Sequence, residues 1–230
     1  MFNGYLPMIL DGLKVTLSVA SVSLAFASVF GLAGASAKLC GSPVLRAVAS
    51  GYTTVVRSLP DLLLMLMVFY GGQVLLNRLT EMQGWGYIDV NAFAAGTLTL
   101  GFIFGAYLTE TFRGAILAIP KGQIEAGQAY GLSALQVLWH IVLPQMIRHA
   151  LPGFTNNWLV MLKATALVSI IGLDDMVHRA SLASAATREP FTFYALIGLI
   201  YLSVTTASIA ALTMLDRWVS RGIRKEEAVR

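Results

Sequence analysis

The chain has 230 residues, 57% of them hydrophobic and 12% charged, with a formal charge of +4. Soluble domains carry about 25% charged residues, so this composition excludes an ordinary soluble fold and implies a bilayer protein. The small, dispersed charge excludes nucleic acid as a partner, and a single cysteine (Cys40) with three scattered histidines excludes an intramolecular disulfide and a metal-ligand cluster.

An α-helix rises 1.5 Å per residue, so about 20 apolar residues cross a hydrocarbon core of roughly 30 Å. The first uncharged run, 15–37, meets that length. It ends in Ala35-Ser36-Ala37, which is similar to a signal-peptidase site, but the run exceeds the roughly 7–15 residues of a signal core and follows Asp11, so it is predicted as a permanent span. The next uncharged run, 62–77, would reach only about 24 Å as a helix. It spans by borrowing flanking residues, approximately 60–78, which draws Asp61 towards the membrane. A third span is predicted over 90–110, a fourth over 152–173 with Lys163 inside it, and a fifth over 191–215 with no charge. The expectation is an all-α membrane protein forming one transmembrane domain, 1–230, with five helices.

An odd number of spans puts the termini on opposite faces, and the bias of Lys and Arg towards the cytoplasm decides which is which. The segments 38–60 and 110–149 and the tail from Asp216 hold eleven basic residues, against four (Lys14, Arg78, Arg179 and Arg188) in the opposite segments. The N-terminus is therefore expected outside and the C-terminus inside. Trp85, Tyr87, Phe191, Phe193, Tyr194 and Trp218 fall at span boundaries, where amphipathic rings meet headgroups.

Between the third and fourth spans lies a polar island, Glu110 to His149, expected on the cytoplasmic side. Pro120 can open a helix, and 123–130 reads as two helical turns. Gly131 supplies the reversal that a residue with a Cβ resists. Ser133 is a candidate N-cap for a second short helix carrying Leu135, Val137, Leu138, Ile141 and Val142, which Pro144 is expected to stop. The predicted product is a hairpin of short helices, approximately 123–143.

Glu125-Ala126-Gly127, then Gly131, then Ile141 and Leu143-Pro144, resembles the EAA motif of ABC importer permeases. The motif usually has alanine where this chain has Gly127; a glycine costs about 1 kcal/mol inside a helix, so a looser first coupling helix is expected. Tyr52 to Pro60, Ala106 to Gly114 and Leu162 to Leu167 are similar to stretches of the second, third and fourth spans of polar amino-acid permeases. Within that family the chain most resembles the Q-type membrane subunits of histidine/lysine/arginine/ornithine importers. The resemblance implies a type I importer permease fold in the bacterial inner membrane. It also implies two ATPase subunits docked on coupling helices formed by Glu125, Ala126, Gly127, Gly131, Ile141 and Pro144. A second permease, related but different, and a periplasmic or extracellular amino-acid-binding protein complete the implied assembly. No cofactor is expected on this chain: it has no G-x-x-x-x-G-K-[ST] loop, so Mg-ATP belongs to the partner ATPase.

Charges inside spans cost about 2.5–3.5 kcal/mol and need a reason. Lys163 either faces the substrate pathway or forms an ion pair, with Glu110 or with another subunit. Asp61 and Glu110 either attract a cationic substrate or serve as a helix-start charge and an i,i+3 pair with Arg113. Gly101 and Gly105 are expected to allow close helix packing. Asp174 and Asp175 are expected to cap the outer end of the fourth span, and Arg217 to Arg230 to anchor the inner headgroups. A self-sufficient channel or secondary carrier remains the alternative function; it leaves the hairpin without a role. A membrane enzyme finds no nucleophile–base pair.

Overall fold

The computed structural model describes residues 2–219. Helices α1 (Phe2–Cys40), α2 (Pro43–Ser58), α3 (Asp61–Met82), α4 (Ala92–Leu117), α5 (Lys121–Ala129), α6 (Ala134–Val137), α7 (Leu143–Ala164), α8 (Met176–Thr187) and α9 (Pro190–Val219) follow one another, with no strand among the described residues. Five stretches are long and apolar enough to cross a membrane: Gly4–Cys40, Asp61–Met82, Ala92–Leu117, Ala134–Ile171 and Pro190–Val219. The basic tail positions Arg221, Arg224, Lys225 and Arg230 lie outside the described residues.

Helix α4 is the hub. It packs against α1 and α7, and also meets α2 and α3. Its seam with α1 is made by glycines that remove a layer of side chain: a Cβ on Gly101 would come within 2.6 Å of the Phe26 Cβ, and one on Gly105 within 2.6 Å of the Phe30 Cβ. Close backbone approach of this kind replaces hydrophobic collapse as the attraction between helices in lipid. Around the seam Val19, Ala27, Leu100, Ile103, Phe104, Leu108, Met161 and Val168 form the main core. A second cluster of Ile9, Met176, Ala180, Ala183, Phe193 and Ile197 joins the first third of α1 to α8 and the start of α9.

Two helices go beyond the expected spans. Ser42 accepts the Leu45 N–H and Pro43 opens α2, which ends at Ser58; Leu59, its C-cap, is extended because it precedes Pro60. Asp174 and Asp175 do not close the fourth span. Asp175 instead opens α8, accepting the His178 N–H at 2.9 Å, and Asp174 pairs with Arg179 at 2.8 Å. The extended loop before α4 is strapped down by α3 side chains: Gln73 and Asn77 each donate to the Ile88 carbonyl and accept from Val90 N–H and Ile88 N–H respectively.

The largest departure from expectation is at Pro144, which stops nothing. Residues 134–164 run on as one helix, with a π-helical stretch at Leu138–Val142 immediately before the proline. A proline ring inside an α-helix collides with the carbonyl four residues earlier and supplies no N–H. The wider π turn takes up both defects, so the helix survives. The predicted second coupling helix is thus the first part of the fourth membrane helix. That helix ends after Ala164 in a 3-10 stretch, Thr165–Ile171, closed by Gly172 at φ 90°.

Candidate functional site: a helical hairpin and an ion-pair cluster at one end of the bundle

Helix α5 is a short amphipathic element between Pro120, at its N-cap, and a glycine turn. The turn is closed by Gly131 N–H to Gln128 O at 2.9 Å and Leu132 N–H to Gly127 O at 3.1 Å, with Gly131 at φ 82°. This is the six-to-one closure of a helix ending in a left-handed residue. Ser133 then starts α6 in a capping box: its hydroxyl accepts the Gln136 N–H while the Gln136 side chain accepts the Ser133 N–H at 2.9 Å.

The two arms lock through Gly127. It is the buried residue of α5, and a Cβ there would stand 2.5 Å from the Ile141 Cδ1. Propensity alone makes Gly127 a weak point of the helix; its place in the fold is the seat into which Ile141 fits, within an α5 that runs through it. Gln145 donates to Gln123 at 2.7 Å and ties the base of the hairpin. Gln123, Ala126, Tyr130, Leu132 and His140 complete an open groove of about 450 Å³. Glu125 and Ala126 are exposed, as are Tyr130, Leu135, Leu138 and Trp139. Exposed apolar side chains therefore stand beside exposed polar ones on this element, the composition of a surface that another apolar phase can cover.

Glu110 sits on α4, seven residues before its end and so about 10 Å from the root of the hairpin. It binds Lys38 of α1, and Arg113 at 2.9 Å. Lys38 also donates to Thr53 of α2, so one ammonium ties three helices. The Lys38 side chain is 11% exposed and that of Glu110 22%, shielding the pair from water and screening ions. The expected alternative of a Glu110–Lys163 pair is not formed. Arg57 lies over the Tyr107 ring, 5.5 Å from its centroid. Asp61 opens α3 at this same end, without an ion pair among the described residues.

Lys163 lies elsewhere. Asn157 donates to Thr111 at 3.0 Å and Val168 packs against Gly96, so Lys163 falls at mid-depth between those two levels of α4. It is exposed, with no ion pair among the described residues. Thus Gly127 and Ile141 touch, Ala126 lines the same groove, Gly131 makes the turn and Pro144 continues the second arm, while Asp61 and Glu110 share the hairpin end without Lys163. Sequence reasoning put Lys38 and Thr53 on the same side as Glu110 but did not join them to it, and it did not single out Tyr107. Arg57 before Pro60, and Lys38 as the first charge after the opening span, were the available signals.

Residues 15–221 match the family described as "Binding-protein-dependent transport system inner membrane component". The chain is 48% identical over 227 residues to the histidine/lysine/arginine/ornithine transport system permease protein HisQ of Escherichia coli (strain K12), covering 99% of this chain and 100% of that one. It is 42% identical over 219 residues to the arginine ABC transporter permease protein ArtQ of Haemophilus influenzae, covering 94% and 95%. Among solved structures, a chain of an amino acid ABC transporter with histidines superposes with a TM-score of 0.79 at 29% identity, covering 93% of this chain and 95% of the other. A chain of the inward-facing MetNI methionine ABC transporter superposes at 0.74 with 19% identity, a likeness of fold.

Proposed function

The chain belongs to the binding-protein-dependent transport system inner membrane components, and on that premise we propose that it carries basic amino acids through a pathway gated from its helical hairpin. It is a multi-pass inner-membrane permease subunit of an amino-acid ABC importer, with the type I fold and with ATP hydrolysis left to a separate subunit. An ATPase and a binding protein are its partners. The finer assembly is our reading: two ATPase copies, a second permease of related but different sequence, the N-terminus outside and the hairpin in the cytoplasm.

One observation carries the coupling mechanism: the hairpin's second arm and the fourth membrane helix are a single rod, 134–164, about 46 Å long. Docking of the ATPase on Glu125, Ala126 and the exposed apolar groups moves α5. The Gly127–Ile141 contact passes that motion to the rod, and Pro144 rides within it. The far part of the rod bears Lys163, so nucleotide-driven closure of the ATPases shifts a mid-depth cation. Such a two-state interface, biased by nucleotide, is what an importer requires.

Lys163 cannot face lipid without a cost of about 2.5–3.5 kcal/mol. It therefore faces the pathway between the two permeases, where it meets the substrate carboxylate. Asp61 attracts the cationic side chain, while Glu110 is held by Lys38 and Arg113 and acts as a structural tie at the pathway's inner end. The relatives named for histidine, lysine, arginine and ornithine, and for arginine, favour a basic substrate. The test is reconstitution of the full assembly in proteoliposomes with a panel of amino acids. ATP-dependent uptake of arginine, lysine, histidine or ornithine is expected. Uptake restricted to neutral amino acids would reject the substrate class, and flux without ATP would favour a channel or secondary carrier.

A further inference from the structure

An open cavity of about 490 Å³ lies at the hairpin end, lined by Lys38, Thr53, Thr54, Arg57, Ser58, Tyr107 and Glu110. Its charges are unequally committed. Glu110 is saturated by Lys38 and Arg113, and Thr53 is engaged by Lys38. The Arg57 guanidinium has no carboxylate among the described residues and is pre-set over the Tyr107 ring. The hydroxyls of Thr54 and Tyr107 have no hydrogen-bond partner among the described residues either. An unpaired guanidinium beside two free hydroxyls is an anion receptor, and its planar fork matches a carboxylate. Asp61 opens α3 three residues after Ser58, which lines the cavity, so an acid stands beside its rim.

We propose that this cavity is an exit site, in which Arg57 and Thr54 hold the α-carboxylate of the departing amino acid while Asp61 takes its cationic group. It is separate from Lys163, which sits at mid-depth, so a substrate is handed from one cation to another as it descends. The inference rests on the importer reading. Aromatic support orients Arg57 in advance, which lowers the ordering needed when the ligand arrives.

The experiment is equilibrium binding of L-arginine and of agmatine, which lacks the carboxylate, to the nucleotide-free complex in nanodiscs of neutral lipid. Arg57→Gln should weaken arginine binding about tenfold, the scale of one lost charge-assisted pair. Agmatine affinity should not change, and Arg57→Lys should recover part of the loss. Thr54→Val, which leaves every charge in place, should weaken arginine alone and carries the test if Arg57→Gln fails to assemble. The losses should persist in a Lys163→Gln background. Equal arginine affinity in wild type, Arg57→Gln and Thr54→Val would overturn the proposal, as would the absence of saturable arginine binding. A loss seen only in nanodiscs containing anionic lipid would also overturn it, by assigning Arg57 to a headgroup phosphate. ATP-driven uptake by the same preparations reports separately on the importer reading.

Discussion

Gly131 offers a test of the hairpin in which backbone conformation is isolated from packing. Its φ is 82°, and a Cβ placed on it would meet no heavy atom within 4 Å. Any penalty on substitution therefore comes from the left-handed backbone, about 1–2 kcal/mol for an ordinary residue. Asparagine tolerates this region and a β-branched residue resists it most. The order of damage should be Gly131→Asn, then Gly131→Ala, then Gly131→Val. If the backbone escapes to negative φ, the Gly131–Gln128 and Leu132–Gly127 hydrogen bonds go as well, each worth about 0.5–1.5 kcal/mol. For Gly131→Ala the competent hairpin population falls roughly 5- to 30-fold relative to its misfolded alternative, and for Gly131→Val further. The measurement is the amount of ATPase retained per permease on affinity purification, paired with ATP-dependent uptake. Wild-type retention and uptake by Gly131→Val would refute the turn's role. Equal damage by Asn and Val would refute its attribution to φ.

Other substitutions probe the remaining parts. Glu125→Lys reverses an exposed charge on the docking face and should lower ATPase retention without changing the permease's own melting temperature; unchanged retention would remove Glu125 from the interface. Lys38→Ala and Glu110→Gln should be non-additive, with a coupling of about 1–2 kcal/mol after discounting for partial exposure, read from melting temperatures of the singles and the double. Additive effects would mean that the pair contributes nothing jointly. Burial raises the Asp175 carboxyl above its ordinary value, so folding disfavours its ionised form and stability is lost as the pH climbs past about 3.9. Asp175→Asn retains a group able to cap His178 and should raise the melting temperature at pH 7.5, with the gain vanishing towards pH 4. A pH-independent effect would contradict this. Asp174 has the opposite sign: the hydrogen bond from Arg179 holds its carboxyl below its usual value, so Asp174→Asn should destabilise at neutral pH and be neutral in acid.

The membrane helices were legible because an uncharged run of about 20 residues is rare outside a bilayer. Helices α2 and α8 were not. Arg46 and Arg57 interrupt the first, and the second is twelve residues rich in alanine and serine, too short to span. The hairpin's turn and cap were readable from Gly131 and Ser133, since a positive φ and an N-cap each demand particular residues. The continuation through Pro144 was not, because a π turn has no local signature and the proline rule points the other way. Glu110 was visible as a buried charge, but its neighbour Lys38 lies 72 positions away. Only the tertiary contact of α1 with α4, set by Gly101 and Gly105, brings the two together.

Gly127 and Ile141 behave as one variable. The sec-butyl group of Ile141 occupies the volume that a methyl at 127 would claim, so alanine at 127 gains about 1 kcal/mol of helix propensity only after Ile141 rotates aside or is shortened. Grafts between permeases must therefore carry both positions together. A chimera that transplants α5 alone would mate a foreign surface with a mismatched socket, and the arm that begins at Ala134 would lose the contact through which α5 holds it.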